Sequence, residues 1–331
     1  MHTVAFRCDA DSQIGTGHVM RCLALAEELK NRNFNVVFAS KLSGVEWLNS
    51  ALSTYKVMYP ESMNWGSIQT AIVDSYQVNI AELQTIREAT SKTVLIADDA
   101  TPSFAADLYL EPGVNQSFSP PRESRHSLRL SGPSAVLIRS DIRHLRPTDP
   151  YSPQGRISSK KNILLTLGSA ASQVLIAEVL MILKDLGTSR HIDVVSRRPP
   201  SRPLASDITW HAPGFPLAKL LERADLVISA AGVTAWEVLC SGRTLGLIQT
   251  VANQEQNYKF MCGEDLIFPL GRVCVGGHLD GGEISSLLVD HDLRVRRRDR
   301  ALELVDGLGV VRAAEAIIGL YSLRPDADTS K

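Results

Sequence analysis

The residues best suited to chemistry lie close to the amino terminus. The run Arg7-Cys8-Asp9-Ala10-Asp11-Ser12-Gln13-Ile14-Gly15-Thr16-Gly17-His18-Val19-Met20-Arg21-Cys22 gathers Arg7, Asp9, Asp11, Gln13, His18 and Arg21 into fifteen residues. A strand pattern leads into it and a helical pattern leaves it. Gly15 and Gly17 sit just before the helix start, where bare backbone N–H groups can approach an anion and the positive helix end favours negative charge. His18 falls in the first turn, where that same positive end favours a neutral imidazole able to accept a proton. Arg21 lies three residues on and shares its face. A neutral base beside a cation suits chemistry at a phosphate-bearing carbon. A histidine at a helix start can also be purely structural; its polar company favours the catalytic reading.

A second cluster reads Ser229-Ala230-Ala231-Gly232-Val233-Thr234-Ala235-Trp236-Glu237. A strand ends, small residues turn the chain, and a helix is expected near Thr234. Two readings compete. Thr234 and Glu237 have the spacing of a capping box. Alternatively, the N–H groups of Ala231 to Thr234 meet a diphosphate and Glu237 takes ribose hydroxyls. Downstream, Asn253, Gln254, Gln256 and Asn257 put four amides within five positions, suited to sugar hydroxyls or acyl amides or simply to an amide-rich helix start. A third junction, Leu165-Thr166-Leu167-Gly168-Ser169-Ala170-Ala171-Ser172, again joins a strand to a helix through small residues. A dinucleotide fingerprint G-x-G-x-x-G is broken, because Met20 takes its third glycine position. The second strand also ends Val37-Phe38-Ala39-Ser40 with no acid for a ribose hydroxyl, which disfavours a dehydrogenase.

Strands that position these loops are predicted at Thr3–Arg7, Asn35–Ala39, Ala71–Val73, Thr93–Ile96, Leu108–Leu110 and near Ala135–Ile138. Helices are expected at His18–Lys30 and over Ser43–Ala51, the latter with Ser43 as its cap. Pro147, Pro150, Pro153 and Gly155 then break all periodicity, a linker signature. The alternation restarts with strands Asn162–Thr166, Ile192–Val195, Ile208–His211, Leu226–Ser229 and Thr244–Ile248. Helices are expected at Ser172–Leu186, Pro216–Glu222, Thr234–Ser241 and Gln254–Cys262. Alternating β and α elements imply parallel sheets covered by helices. The expected division is a domain over 1–145, a linker over 146–160, a second domain over 161–308, and a closing helix and tail over 309–331. The final helix, Val310–Leu323, is expected to pack back on the first domain, and Arg324–Lys331 to be a disordered tail. Ligands of open α/β sheets sit beyond the carboxyl ends of the strands, so two such sheets facing each other form one deep cleft.

The whole chain narrows the function. Its 331 residues suit two domains, and a net charge of −1 gives no basic field for nucleic acid or anionic lipid. No apolar run reaches the roughly 18 residues of a membrane span, and the start lacks a signal-peptide pattern. Five cysteines without a C-x-x-C pair argue against a disulfide framework or a cysteine zinc site, and suggest reduced thiols in a cytoplasm. Nothing calls for a metal, a cofactor or an obligatory protein partner.

The opening run, read as R-x-D-x-x-x-x-I-G-x-G-H-x-x-R-C, resembles the first motif of the UDP-sugar hydrolases of pseudaminic acid biosynthesis, which release UDP from UDP-2,4-diacetamido-2,4,6-trideoxy-β-L-altropyranose. The segment Ser229 to Glu237 with Asn253-Gln254 resembles the nucleotide-binding half shared with the peptidoglycan N-acetylglucosaminyltransferase. The likeness runs from about Val4 to Leu320, with Ala71 to Tyr76 and Ile96 to Asp99 as landmarks. It implies a GT-B fold, two Rossmann-like domains around a central cleft. It also implies a UDP-sugar substrate, and water activated by His18 for inverting attack at the anomeric carbon. Arg7, Asp9, Gln13, Gly15, Gly17, Arg21, Asp74, Tyr76, Asn253, Gln254 and Asn257 would surround the sugar. Gly168, Ser169, Gly214, Ser229, Ala231, Gly232, Val233, Thr234 and Glu237 would hold UDP. The chain departs from the family at Leu167-Gly168-Ser169-Ala170, which lacks a glycine and a carboxylate, at Ala230 to Thr234, and at Tyr109 to Gln116; these departures bear on which sugar is bound. Helix starts and Arg21 would stabilise the departing diphosphate. A glycosyltransferase with the same donor site, His18 then deprotonating an acceptor hydroxyl, is the rival reading, and a non-catalytic nucleotide-sugar sensor a third.

Overall fold

The computed structural model describes residues 2–11, 14–98, 101–114, 118–124, 127–149, 162–168, 172–187, 191–199 and 207–322. The expected tail over 324–331 and most of the expected linker lie outside them.

The first sheet is built from β1 (Thr3–Cys8), β2 (Asn35–Ala39), β3 (Lys56–Met58), β4 (Thr70–Asp74), β5 (Lys92–Ile96), β6 (Leu108–Pro112) and β7 (Leu128–Gly132). Its order is β3-β2-β1-β4-β5-β6-β7, and every pairing is parallel. Around it lie α1 (Gly17–Asn31), α2 (Trp47–Ala51), α3 (Ile80–Ala89) and α4 (Ser140–Arg143). The second sheet holds β8 (Ile163–Thr166), β9 (Ile192–Val195), β10 (Ile208–His211), β11 (Leu226–Ala230), β12 (Thr244–Gln249) and β13 (Phe268–Arg272). Its order is β10-β9-β8-β11-β12-β13, again all parallel. Its helices are α5 (Gln173–Asp185), α6 (Leu217–Arg223), α7 (Val233–Cys240), α8 (Glu255–Gly263), α9 (Gly281–Val289) and α10 (His291–Leu304), followed by α11 (Gly309–Gly319).

Both sheets reverse their winding once, between β1 and β4 and between β8 and β11. Those switch points are where an open α/β sheet leaves a crevice at its carboxyl edge. The polar opening run follows β1, and the Ala231–Thr234 turn follows β11, so sequence and topology aim at the same two places.

The cores explain the elements. Helix α1 buries Val19, Cys22, Leu25, Ala26 and Leu29, spaced three and four apart, against Val4, Phe6 and Phe38 of the sheet. Helix α11 does pack back on the first domain, adding Val310, Ala313, Ala314 and Ile317 to that core. The crossing between domains begins earlier than the proline-rich stretch: Val136, Ile138 and Ile142 already belong to the second core. That overturns the sixth strand expected at Ala135–Ile138. The edge strand is instead Leu128–Gly132, followed by a short 3₁₀ turn over Pro133–Ala135, and the apolar run 136–138 is apolar because it bridges two cores. The helix expected over Ser43–Ala51 is only Trp47–Ala51, with Glu46 at its cap position and no side-chain cap bond. Among the described residues no helix is long and apolar enough to cross a membrane.

Candidate active site

His18 is the second residue of α1, 6% exposed. Its Nδ1 lies 2.6 Å from Oδ1 of Asp74, the last residue of β4. Cys8 and Asp74 are register partners across β1 and β4, so the sheet itself brings the carboxylate beneath the helix start. Nδ1 also lies 3.0 Å from a terminal nitrogen of Arg21, but the carboxylate is nearer and two lone pairs at 2.6 Å would repel, so Nδ1 is assigned the proton and donates it to Asp74. Nε2 is then the basic nitrogen, and it makes no hydrogen bond among the described residues. A histidine oriented by a carboxylate, with its other ring nitrogen left unbonded, is an arrangement suited to general-base catalysis.

Asp74 is 1% exposed and saturated. Arg21 donates from Nε to Oδ2 at 2.6 Å and from a terminal nitrogen to Oδ1, and the Cys22 thiol lies 3.5 Å from Oδ2. Burial opposes ionisation of Asp74, but the neighbouring Arg21 and His18 outweigh it and hold its carboxyl well below the usual range. Burial and contact with the Cys8 thiol push Cys22 well above an ordinary thiol, so it stays a protonated donor. Asp74 and Arg21 are expected from the sequence to face a ligand; the Asp74 carboxylate is instead closed off behind the histidine, bonded to His18 and Arg21. Arg21 is committed to Asp74 and lies 3.5 Å from Asp98, so its charge is already balanced within the protein.

The lowered folded-state pKa of Asp74 has a measurable consequence. Its pairing stabilises the fold fully above the unfolded carboxylate range, and that contribution declines as pH falls from about 4 toward the lowered value. The gap in thermal midpoint between wild type and Asp74→Asn should therefore narrow on acidification, and a gap independent of pH would contradict this.

Tyr76, half-exposed, sets its ring edge-on to His18 with centroids 4.5 Å apart and donates its hydroxyl to Asp98 at 2.7 Å. Burial, with Asp98 beside it, pushes the phenol well above its ordinary range. Arg7 and Asp9 sit elsewhere than expected. Both are 1% exposed, and Arg7 ion-pairs with Asp9 at 2.6 Å and Glu82 at 2.6 Å. Asp9 also accepts from Lys41 N at 2.8 Å and Ser75 Oγ at 2.6 Å. Both charges are balanced inside the protein, and Asp9 holds Ser75, the residue before Tyr76, although Arg7 Nη1 makes no hydrogen bond among the described residues. Gly15 has φ of 82°, a conformation suited to glycine, and its N–H goes to Asp11 O at 3.0 Å. Gly17 is the first residue of α1. Gln13 lies outside the described residues.

In the second domain α7 begins at Val233 with Gly232 as its cap residue and no side-chain cap bond, which removes the capping-box reading. Glu237 is instead bound through Oε1 to Arg139 Nε at 2.7 Å, tying α7 to the residue before α4. Arg139 and Glu237 are both largely buried. Removing one charge strands the other, so Arg139→Ala should lower unfolding stability by about 3–5 kcal/mol, with Arg139→Lys far milder; denaturant midpoints check it, and equal midpoints would contradict the pairing. Ser229 is 1% exposed within β11, so its hydroxyl is closed off, and Ala231, expected to act through its backbone N–H, is buried. The Gly232 N–H goes to Ala230 O, which leaves the N–H groups of Val233 and Thr234 at the helix start. Gln254 accepts from Thr250 N at 2.9 Å, and its Nε2 lies 4.0 Å from where a Gly232 side chain would begin. Asn257 donates to Ala231 O at 3.3 Å while its Oδ1 is buried without a partner. Asn253 is exposed. Gly168 has φ of 74° and open space where a side chain would start, and Ser169 lies outside the described residues.

The two helix starts meet. A methyl group built on Gly17 would lie 3.4 Å from Val233 Cγ2. Gly113 faces Trp236, and Gly214 lies so close to Trp47 that a Cβ would come within 2.9 Å, so Gly214 serves the domain contact rather than an obvious ligand surface. His18, Tyr76, Gly232, Val233, Thr234 and Gln254 are thus gathered at one junction. In the sequence, Asp98 stands out only as one of the landmarks Ile96 to Asp99, and Cys22 only as a reduced thiol closing the opening run. The only signal for either was its place, Asp98 just past a strand end and Cys22 beside Arg21.

No protein-family model matches the chain. The spore coat polysaccharide biosynthesis protein SpsG of Bacillus subtilis (strain 168) is 23% identical over 349 residues, spanning 97% of this chain and 99% of that protein. Among solved structures, a UDP-glucosyltransferase from Polygonum tinctorium superposes with a TM-score of 0.64 at 15% identity, covering 98% of this chain and 99% of the other. The UDP-GlcNAc 2-epimerase of Neisseria meningitidis, bound to UDP-GlcNAc, gives 0.61 at 11% identity, covering 96% and 100%. The fold is GT-B. Its two Rossmann-like domains are those expected from the sequence, with the opening motif at the switch point of one and the Gly232 turn at that of the other.

Proposed function

We propose that this protein is an enzyme of UDP-activated sugars that breaks the bond between the anomeric carbon and the diphosphate oxygen, with His18 as general base. The observation that carries this is the His18–Asp74 pair, its Nε2 without a hydrogen-bond partner among the described residues, at a junction where two helix starts converge. Charge that develops on the leaving diphosphate falls to the N–H groups of Val233 and Thr234 and to the start of α1. Gln254 and Asn257 stand beside that turn as hydrogen-bonding groups for the donor. The nucleotide is read as UDP because two of the GT-B relatives above are described by UDP-sugars.

The attacking oxygen is best read as an acceptor hydroxyl, so that the reaction is glycosyl transfer. Support comes from the relative described as a glucosyltransferase and from the one assigned to polysaccharide biosynthesis. Water is the second reading, favoured by the resemblance of the Arg7–Cys22 run to the pseudaminic acid hydrolases. A panel of UDP-, GDP- and CMP-sugars, with and without sugar acceptors, separates them when nucleotide release is followed by mass spectrometry. UDP release that depends on acceptor supports transfer; equal release in water alone supports hydrolysis. Absence of release from every donor in both arms contradicts both.

A further inference from the structure

Asp98 is used by neither the sheet nor the dyad, yet it touches both groups that flank His18. It lies two residues beyond β5, at the carboxyl edge that carries the site. Its own position is fixed by a turn: its N–H meets Thr101 Oγ1 at 2.9 Å, its carbonyl accepts from Thr101 N at 3.0 Å, and Oδ1 lies 3.4 Å from Thr101 Oγ1. The other carboxylate oxygen, Oδ2, accepts the Tyr76 hydroxyl at 2.7 Å and lies 3.5 Å from a terminal nitrogen of Arg21. Tyr76 presses its ring against His18, and Arg21 holds Asp74 by two hydrogen bonds. The contacts form a closed circuit, from His18 to Asp74, Arg21, Asp98, Tyr76 and back to the imidazole.

We propose that Asp98 is a positioning residue that locks the His18 imidazole from its open side, acting through Tyr76 and Arg21. The inference rests on His18 being the base, as proposed above. The physical argument is one of degrees of freedom. Asp74 fixes one ring nitrogen, but a ring held at one atom can still tilt about that bond. An edge contact from Tyr76 removes the tilt, provided Tyr76 is itself held, and its hydroxyl is held by a carboxylate pinned in a turn. Asp98 also draws on the terminal nitrogen of Arg21 that donates to Asp74 Oδ1, so that nitrogen is held between two carboxylates. A misplacement of about 1 Å in a reacting group can cost roughly 100-fold in rate, so a circuit of this kind has kinetic weight without touching substrate.

The test uses Asp98→Ala, Asp98→Asn and Tyr76→Phe in the full chain. Asp98→Ala should lower kcat by about 10- to 100-fold with KM changed by less than about threefold. Asp98→Asn, which keeps an acceptor for the Tyr76 hydroxyl, should recover part of that loss. Tyr76→Phe added to Asp98→Ala should cost little more than Asp98→Ala alone, because both act through one contact. The substrate-free readout is the proton resonance of His18 Nδ1–H, which should broaden or move in Asp98→Ala and return toward wild type in Asp98→Asn. If that resonance is unchanged, or if KM rises while kcat stays, the positioning role is wrong. If the resonance moves while no donor is turned over by wild type, the positioning role stands and the assigned reaction falls. Thermal midpoints guard against simple unfolding, with Asp98→Asn as the gentler variant.

Discussion

On the proposed function, replacing His18 by alanine should lower turnover of a UDP-sugar by about 10²–10⁴-fold and leave UDP binding nearly unchanged. The split follows from where the residue stands. Its imidazole is held by Asp74 with Nε2 left for a substrate proton, while the helix starts that suit a diphosphate are backbone and survive the change. The Arg21–Asp74 pair also survives, so the fold should persist. Calorimetry with UDP, set beside steady-state release, checks both halves. Wild-type turnover in the variant would remove His18 from the mechanism, and lost UDP binding would make it a ligand contact instead.

Asp74→Asn should be comparably damaging, with turnover down on the order of 10³–10⁴-fold, and it should also destabilise the protein. An amide in this place presents either an oxygen or a nitrogen to Nδ1; in the second case the imidazole must shift its proton to Nε2 and can no longer accept one there. The charge that steadies the developing imidazolium is lost as well. Arg21, largely buried, is left without its main counter-charge, a loss of the kind that costs about 3–5 kcal/mol. His18→Ala should show much the smaller stability change. Denaturant midpoints for the two variants, set beside their rates, separate an orienting carboxylate from a carboxylate that merely binds sugar, for which KM alone would rise.

Much of this architecture is legible in the residues. Strands β1, β2, β9 and β10 are short apolar runs between turn signals, and α1 carries a clear three-and-four spacing, so their places follow from pattern. Strands β3, β7 and β13 do not announce themselves. Lys56–Met58 and Leu128–Gly132 are edge strands with few buried side chains, and Phe268–Arg272 contains Pro269 and Gly271, which read as breakers but are tolerated at a sheet edge. The site divides in the same way. His18 and the Gly232 turn can be found from local sequence because helix starts have local signatures. The orienting role of Asp74 cannot, because it depends on β4 lying beside β1 with Cys8 and Asp74 in register. The partner of Glu237 lies 98 residues away, so the local spacing to Thr234 pointed to a cap that the fold does not use. Arg7 and Asp9 are expected to face a ligand because the opening motif carries them to the carboxyl end of β1; here they pair and are buried.

The His18–Asp74 pair is proposed to direct an oxygen nucleophile at the anomeric carbon of a UDP-sugar. The most direct test is a donor carrying oxygen-18 in the bond between that carbon and the diphosphate, turned over by wild type and analysed by mass spectrometry. Cleavage at carbon leaves the label in UDP whether water or an acceptor hydroxyl attacks, and that is the expected result. Label retained on the sugar, or UMP and a sugar phosphate as products, would place the attack at phosphorus and contradict the account.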